Sequence, residues 1–567
     1  MHDRYATPSA LSLLFTCLLL GVNASRLLSP AAVRGNNSAS GQASQPRPAG
    51  EELTTEPAIS YPTDVVTYHY DNSRTGATLH EQILTLSNVN SSTFGKIGFF
   101  PTDGKVDAEP LYLTNVFIHG VTHNVLYVVT EHASAYAFDA DTGAQLWKVS
   151  ALKSGEKPSD DHGCGQITPE IGITATPVID RSTGPNGAIY FVAMSKDSAG
   201  HYHQRLHARD VTTGAELFGG PTEIQARYPG TGDGSQGGFV IFSPGQYAER
   251  AGLLESKANI FLGWTSHCDQ RPYTGWLMEY SAKTLTRVSV LNLTPNGHAG
   301  SIWMSGAGLA ADSAGNVFFL DANGSFDTTL NSRGFPIHGD YGNAFVKVGT
   351  SGPLVVADYF SMYNTVAESA ADKDLGSGGA LLLPDLKDST GHIRHLAVGA
   401  GKDENIYVVN RDNMGKFNST KNNIWEEIGV ALPGGEFAMP AYYNDTVYYG
   451  GVGDHIKAFA VAQALLSNSP ASESGHRFPY PGATPSLSAN GNLNGILWAV
   501  ENSNPAVLHA YKASDLSQEL YNSNQQGSRD QFGPGNKFIT PMITNGKVFV
   551  GTQTGVAVFA LTRARLR

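Results

Sequence analysis

The segment Ala137 to Trp147 reads AFDADTGAQLW and follows a β-branched and aromatic run, Val125 to Val129. The stretch from Val125 to Trp147 is therefore expected to form a strand, a hairpin and the pattern AxDxxTGxxxW. In that pattern Asp139 can cap the turn, Thr142 brings a hydroxyl and Gly143 tolerates a positive φ. Trp147 then returns a large ring into a layer between sheets. Ala208 to Phe218, ARDVTTGAELF, repeats the spacing with Phe218 in the place of the tryptophan. One such hairpin is ordinary, but two imply that a four-stranded unit is being repeated, which is how propeller blades are written.

The rest of the 567 residues agrees with this reading. With 63 glycines and 29 prolines, short β-branched or aromatic runs recur between Gly, Asn and Asp turns, and no amphipathic run reaches helical length. Ala188 to Ala193, Asn259 to Gly263, Val317 to Leu320, Asn405 to Val409, Thr446 to Tyr449, Leu497 to Val500 and Lys547 to Gly551 are expected strands. The folded part is expected at 63–564, opening with a strand at Thr67 to Tyr70. About 500 residues at about 60 per blade predict an all-β, eight-bladed propeller of four-stranded antiparallel blades, with seven blades as the alternative. Asn468 to Ala489, rich in Ser, Pro and Gly, reads as a long loop between strands.

Residues 1–24, with basic Arg4, an apolar run from Ala10 to Val22 and a small-residue cleavage site ending at Ala24, read as a secretory signal peptide. Residues 25–62 are Ser, Ala, Pro and Gly with few large apolar side chains, the composition of a disordered linker. The expected location is thus secreted or periplasmic. The apolar run of about 13 residues is too short for a transmembrane span, and no later segment is longer. A net charge of -12 gives no electrostatic footprint for nucleic acid. Once the signal is removed, Cys164 and Cys268 remain; they form one disulfide in an oxidising setting or stay as two buried thiols, and the sequence leaves both open. No CxxCH is present for covalent haem, and no HExxH, Walker loop or GxSxG elbow appears. His201, His203 and His207 could bind metal, but their period-two spacing fits a polar sheet face better.

AxDxxTGxxxW, best kept at Ala137 to Trp147, resembles the tryptophan-docking motif of the quinoprotein alcohol dehydrogenase-like propellers, over 63–564. In the enzymes of that family a pyrroloquinoline quinone (PQQ) lies on the propeller axis between a tryptophan and a disulfide of adjacent cysteines, and binds calcium. Hard oxygen ligands suit that ion, and a cation is needed where charge develops on the quinone. The resemblance places Trp303, in the segment GSIW, as the stacking ring, and Asn323 and Asp269 as metal ligands. It places Asp372 as the catalytic base, with Asp374 beside the cofactor, in DKDLGSGG, and Lys402 as the polarising cation. Cys164 stands where the cysteine pair is expected. Read without the resemblance, Trp303 is a core aromatic, Asn323 a left-handed turn residue, Asp269 a loop cap, the two aspartates turn acids and Lys402 a surface lysine.

Several departures are visible. Asp269 stands where Glu is usual, and Ala371 replaces the tryptophan expected before Asp372. The cysteine pair is reduced to Cys164-Gly165, which predicts the loss of one stacking face, and Phe437 stands where an asparagine donor is expected. Two functions follow. One is an exported PQQ- and calcium-dependent dehydrogenase, without haem, that oxidises a small alcohol or sugar and passes electrons to a separate acceptor. The other is a propeller without the cofactor, binding a protein or glycan on a loop face.

Overall fold

A computed structural model describes residues 63–562. The expected signal peptide at 1–24 and linker at 25–62 lie outside the described residues. Eight antiparallel sheets follow one another along the chain, at 111–150, 178–223, 247–292, 310–361, 381–428, 441–478, 486–522 and 542–561. The last sheet gains its fourth strand from the start of the fold, where Phe94–Pro101 pairs with Gly555–Leu561. These are the eight blades, and the exchange of that strand closes the ring, so no sheet edge is left at the join.

Burial explains why the strands look as they do in sequence. In blade one, Ser134–Asp139 is buried throughout, because an inner strand is covered on both faces by neighbouring blades. The outer strand, Gln145–Ser150, buries only Trp147 fully and turns its other residues toward solvent. Inner strands therefore read as continuous apolar runs and outer ones as mixed.

The repeated hairpin acts as the latch between blades. Asp139 Oδ1 accepts from the amides of Asp141 and Thr142 at 3.0 and 2.7 Å and from the Thr142 hydroxyl at 2.9 Å, and Gly143 takes φ +79°. Trp147 Nε1 donates to the carbonyl of Val211 at 3.1 Å, in the matching turn of blade two. A Cβ on Gly214 would lie 3.0 Å from the Trp147 ring, so the glycine is what lets the indole lie flat on that turn. A Cβ on Gly143 would likewise lie 2.8 Å from the ring of Phe100, on the closing strand. Blade eight thus docks on blade one as blade one docks on blade two.

Two local expectations are corrected. Thr67 to Tyr70 is a turn, with His69 and Tyr70 at φ +57° and +73°. The buried Arg74 ties it down, donating to Thr67 Oγ1 at 2.7 Å and to the carbonyl of Tyr68 at 2.8 Å. Asn468 to Ala489 is not one loop, because Ser472–Phe478 is the outer strand of blade six and pairs with Asp454–Ala462. Its buried positions include Ser474, so the alternation is real but carries little hydrophobic signal. Among the described residues the one α-helix, Thr365–Ala370, lies between blades four and five.

Candidate active site

The connections between blades build a cavity of about 340 Å³. Its residues come from two kinds of position. Trp303, Asp374, Phe437, Tyr480 and Phe538 precede the first strands of blades four to eight, whereas Cys268, Asn323 and Lys402 follow the second strands of blades three, four and five. All seven side chains singled out in the sequence, Cys164, Asp269, Trp303, Asn323, Asp372, Asp374 and Lys402, line this one cavity.

Close backbone approach brings them together. The amide of Gly300 donates to the carbonyl of Asn323 at 2.6 Å and that of Ala322 to the carbonyl of Ser301 at 2.9 Å, which zips the Trp303 segment to the Asn323 turn. A Cβ on Gly324 would stand 2.3 Å from the Gly300 nitrogen, so only glycine permits the contact. Likewise the Lys402 amide donates to the Asp374 carbonyl at 2.9 Å.

At the centre Lys402 Nζ lies 2.6 Å from Asp372 Oδ1 and 2.8 Å from Asp374 Oδ1. Burial works against the ammonium, yet the two carboxylates outweigh it and hold its pKa above the usual lysine value. Asp374 differs from Asp372. Its side chain is only 1% exposed, against 70% for Asp372, and burial raises its carboxyl above the ordinary range despite the opposing pull of Lys402. The two acids fall outside any strand. They lie between the short helix and a 3-10 turn, Leu375–Ser377, with Asp372 at φ +56°, and it is Lys402 that joins them.

Asn323 Nδ2 donates to Asp372 Oδ1 at 2.6 Å, which leaves Asn323 Oδ1 buried without a partner. Asp269 sits exposed at the rim and accepts from the Tyr273 hydroxyl at 2.9 Å. The Trp303 indole is wedged by edge contacts from Phe437 at 5.9 Å and Phe538 at 5.7 Å, and Lys402 Nζ stands 5.9 Å from its ring centre. Phe437, where a polar donor was expected, is thus an apolar part of the wall.

The two cysteines are bridged, with Cα atoms 5.7 Å apart across 104 residues of chain. The bridge lines the cavity, so the predicted loss of a disulfide wall is corrected: one sulfur comes from Cys164 and the other from Cys268, instead of from adjacent residues. Spacing alone could not show this, because the connection depends on where two loops meet.

Sequence reasoning missed Arg250, Tyr480 and Phe538. Arg250 is 5% exposed, lies 5.4 Å from the Phe538 ring, and has the carboxylates of Asp107 and Glu249 as electrostatic neighbours. The signal was present, since Glu249 and Arg250 are adjacent charges inside an otherwise apolar and small-residue stretch. The cavity also meets His267, stacked on His162 at 3.9 Å and kept neutral by burial, which brings its pKa down to about 4. The expected polar sheet face at His201, His203 and His207 is present, each paired with Asp197, Glu223 or Glu216.

The donors suit the group that the sequence suggested. Trp303 and the disulfide offer flat, polarisable surfaces, and Arg250 and Lys402 offer cations for the carboxylates of a quinone. The unpartnered Asn323 Oδ1 and the Asp269 carboxylate are hard oxygens lining the same cavity, the kind of donor a calcium-like ion takes.

No family model matches the chain, and no curated protein matches it. Solved structures do. The quinohemoprotein alcohol dehydrogenase of Comamonas testosteroni superposes with a TM-score of 0.57 at 13% identity, over 90% of this chain and 82% of that one. The quinohemoprotein alcohol dehydrogenase ADHIIG of Pseudomonas putida HK5 gives 0.56 at 13% identity, over 89% and 81%. A europium-containing methanol dehydrogenase gives 0.59 at 12%, over 88% and 98%. The chain shares the fold of these quinoprotein alcohol and methanol dehydrogenases.

Proposed function

We propose that the protein is a PQQ- and metal-dependent dehydrogenase that oxidises a small alcohol or sugar at the hub cavity. The observation that carries this reading is the cluster itself: Lys402 clasped by Asp372 and Asp374 beside Trp303 and a disulfide, from segments far apart in the chain. When bound, PQQ supplies the two-electron acceptor and calcium the Lewis acid that makes its quinone carbonyl electrophilic.

The side chains divide the remaining work. Asp374, buried and with its carboxyl raised by that burial, accepts the proton of the substrate hydroxyl, which makes it a better base than the exposed Asp372. Asp372 spends its Oδ1 on both Asn323 and Lys402 and so holds those two in place. Lys402 keeps Asp374 ionisable and presents positive charge toward the cavity. Phe437, Tyr480 and Phe538 exclude water from it. Asn323 Oδ1 and Asp269 would hold the metal, and Arg250 and Lys402 the cofactor carboxylates.

Electrons would leave to a separate acceptor, since this chain has no CxxCH. A secreted or periplasmic setting is supported by the reading of residues 1–24 and by the disulfide, a bond favoured in oxidising compartments.

The test is dye-coupled oxidation of a panel of primary alcohols, aldoses and polyols by apoprotein supplied with PQQ and calcium. A lanthanide arm is included because one structural neighbour is a europium-containing enzyme. Turnover that is lost in Asp374→Asn supports the proposal. No turnover with any substrate or metal favours the other function, a propeller that binds a protein or glycan on a loop face.

A further inference from the structure

Outside the hub, two histidines and a glutamate converge where blade six meets blade seven. His476 lies on the outer strand of blade six, Ser472–Phe478, while Glu501 and His509 lie on neighbouring strands of blade seven, Leu493–Glu501 and Val507–Lys512. Glu501 and His509 project from the same sheet face, because Ala499 pairs with His509 and Glu501 with Val507. One donor atom from each of the three residues falls within 4.8 Å of the others.

Glu501 is the common partner of both rings. His476 Nε2 lies 3.0 Å and His509 Nε2 lies 3.5 Å from Glu501 Oε2, yet both imidazole nitrogens are buried and neither makes a hydrogen bond. The two rings stack 4.8 Å apart at 21°. Donor atoms about 2.0–2.2 Å from a tetrahedral ion are about 3.3–3.6 Å from one another, and the two histidine–glutamate separations, 3.0 and 3.5 Å, need only small shifts to meet that.

A fourth residue fixes the orientation. His509 Nδ1 faces Glu519 Oε1 at 2.7 Å, and the other Glu519 oxygen accepts from Asn522 Nδ2 at 2.9 Å. A carboxylate on Nδ1 fixes the ring and points Nε2 at Glu501 and His476, the carboxylate–histidine arrangement that supports bound metal ions. The His476 side chain is 39% exposed, so the cluster lies close to the surface.

We propose that His476, His509 and Glu501 form a site for a borderline transition-metal ion such as Zn²⁺, clamping the outer strand of blade six to blade seven. Imidazole and carboxylate together select such an ion over calcium, which prefers an all-oxygen shell. The site is separate from the hub and does not depend on the quinone.

The experiment uses the untagged full chain, stripped with a chelator and dialysed. Zn²⁺ is titrated calorimetrically, thermal midpoints are recorded with and without Zn²⁺, and Co²⁺ is used as a visible reporter. One Zn²⁺ per chain, a raised midpoint, four-coordinate Co²⁺ bands and no competition by Ca²⁺ are expected. His476→Ala, on an exposed outer strand, should lose the binding and the midpoint rise. Glu519→Gln leaves all three ligands in place and should weaken affinity by about 10–100-fold. Equal binding by wild type and His476→Ala, or no binding by the folded wild type, overturns the proposal.

Discussion

At the scale of single residues, the account rests on the different surroundings of two acids two positions apart. Asp374→Asn should lower kcat of the PQQ- and calcium-loaded protein by about 10²–10⁴-fold, the range for losing a positioned base, with the fold unchanged by circular dichroism. Asp372→Asn should cost less and act partly through cofactor affinity, because its carboxylate only holds Lys402 and Asn323. Equal losses in the two variants would remove the distinction between them. Glu109 gives a second residue-scale prediction, for stability. Burial raises its folded pKa from 4.5 to about 8, against the hydrogen bond it accepts from the His69 amide at 2.9 Å. Between those pH values the native state binds more protons than the unfolded state, so the contribution of Glu109 is full below pH 4.5 and is lost as pH rises through about 8. Glu109→Gln should therefore flatten the fall of the denaturation midpoint across that window, measured by urea titration at several pH values. An unchanged slope would place the proton elsewhere.

At the scale of the element, the latch and the bridge make separable demands. Trp147→Ala removes a ring that is buried against blade two and hydrogen-bonded to Val211, and should cost about 3–5 kcal/mol in denaturant unfolding. Cys268→Ser opens a loop of 104 residues and should cost about 2–5 kcal/mol. It also removes a wall of the hub cavity, so PQQ affinity should fall, whereas Trp147→Ala should leave it unchanged. The latch was legible in the sequence because Asp139, Gly143 and Trp147 each have a geometric requirement that few other residues meet. The outer strand with His476 was not, because Ser474 and Gly475 hide its alternation and the strand relies on its neighbours for burial. The helix Thr365–Ala370 that precedes the acids at 372 and 374 was not legible, since it is too short to announce itself by periodicity.

At the scale of the whole molecule, ring closure brings the distant side chains of the hub together. Blades three to eight deliver residues from two recurring places in the repeat, before the first strand or after the second, so a repeat read from sequence already implies where they point. The bridging of Cys164 to Cys268 and the inward turn of Arg250 were not legible, because both depend on how the finished ring positions loops. The central claim is that this hub holds a quinone, and equilibrium titration of the apoprotein with PQQ in the presence of calcium tests it directly. Saturable binding of one PQQ per chain, lost in both Lys402→Ala and Asn323→Ala, is the predicted result. A folded protein that binds no PQQ at micromolar concentration, or binds it equally well in both variants, would contradict the account.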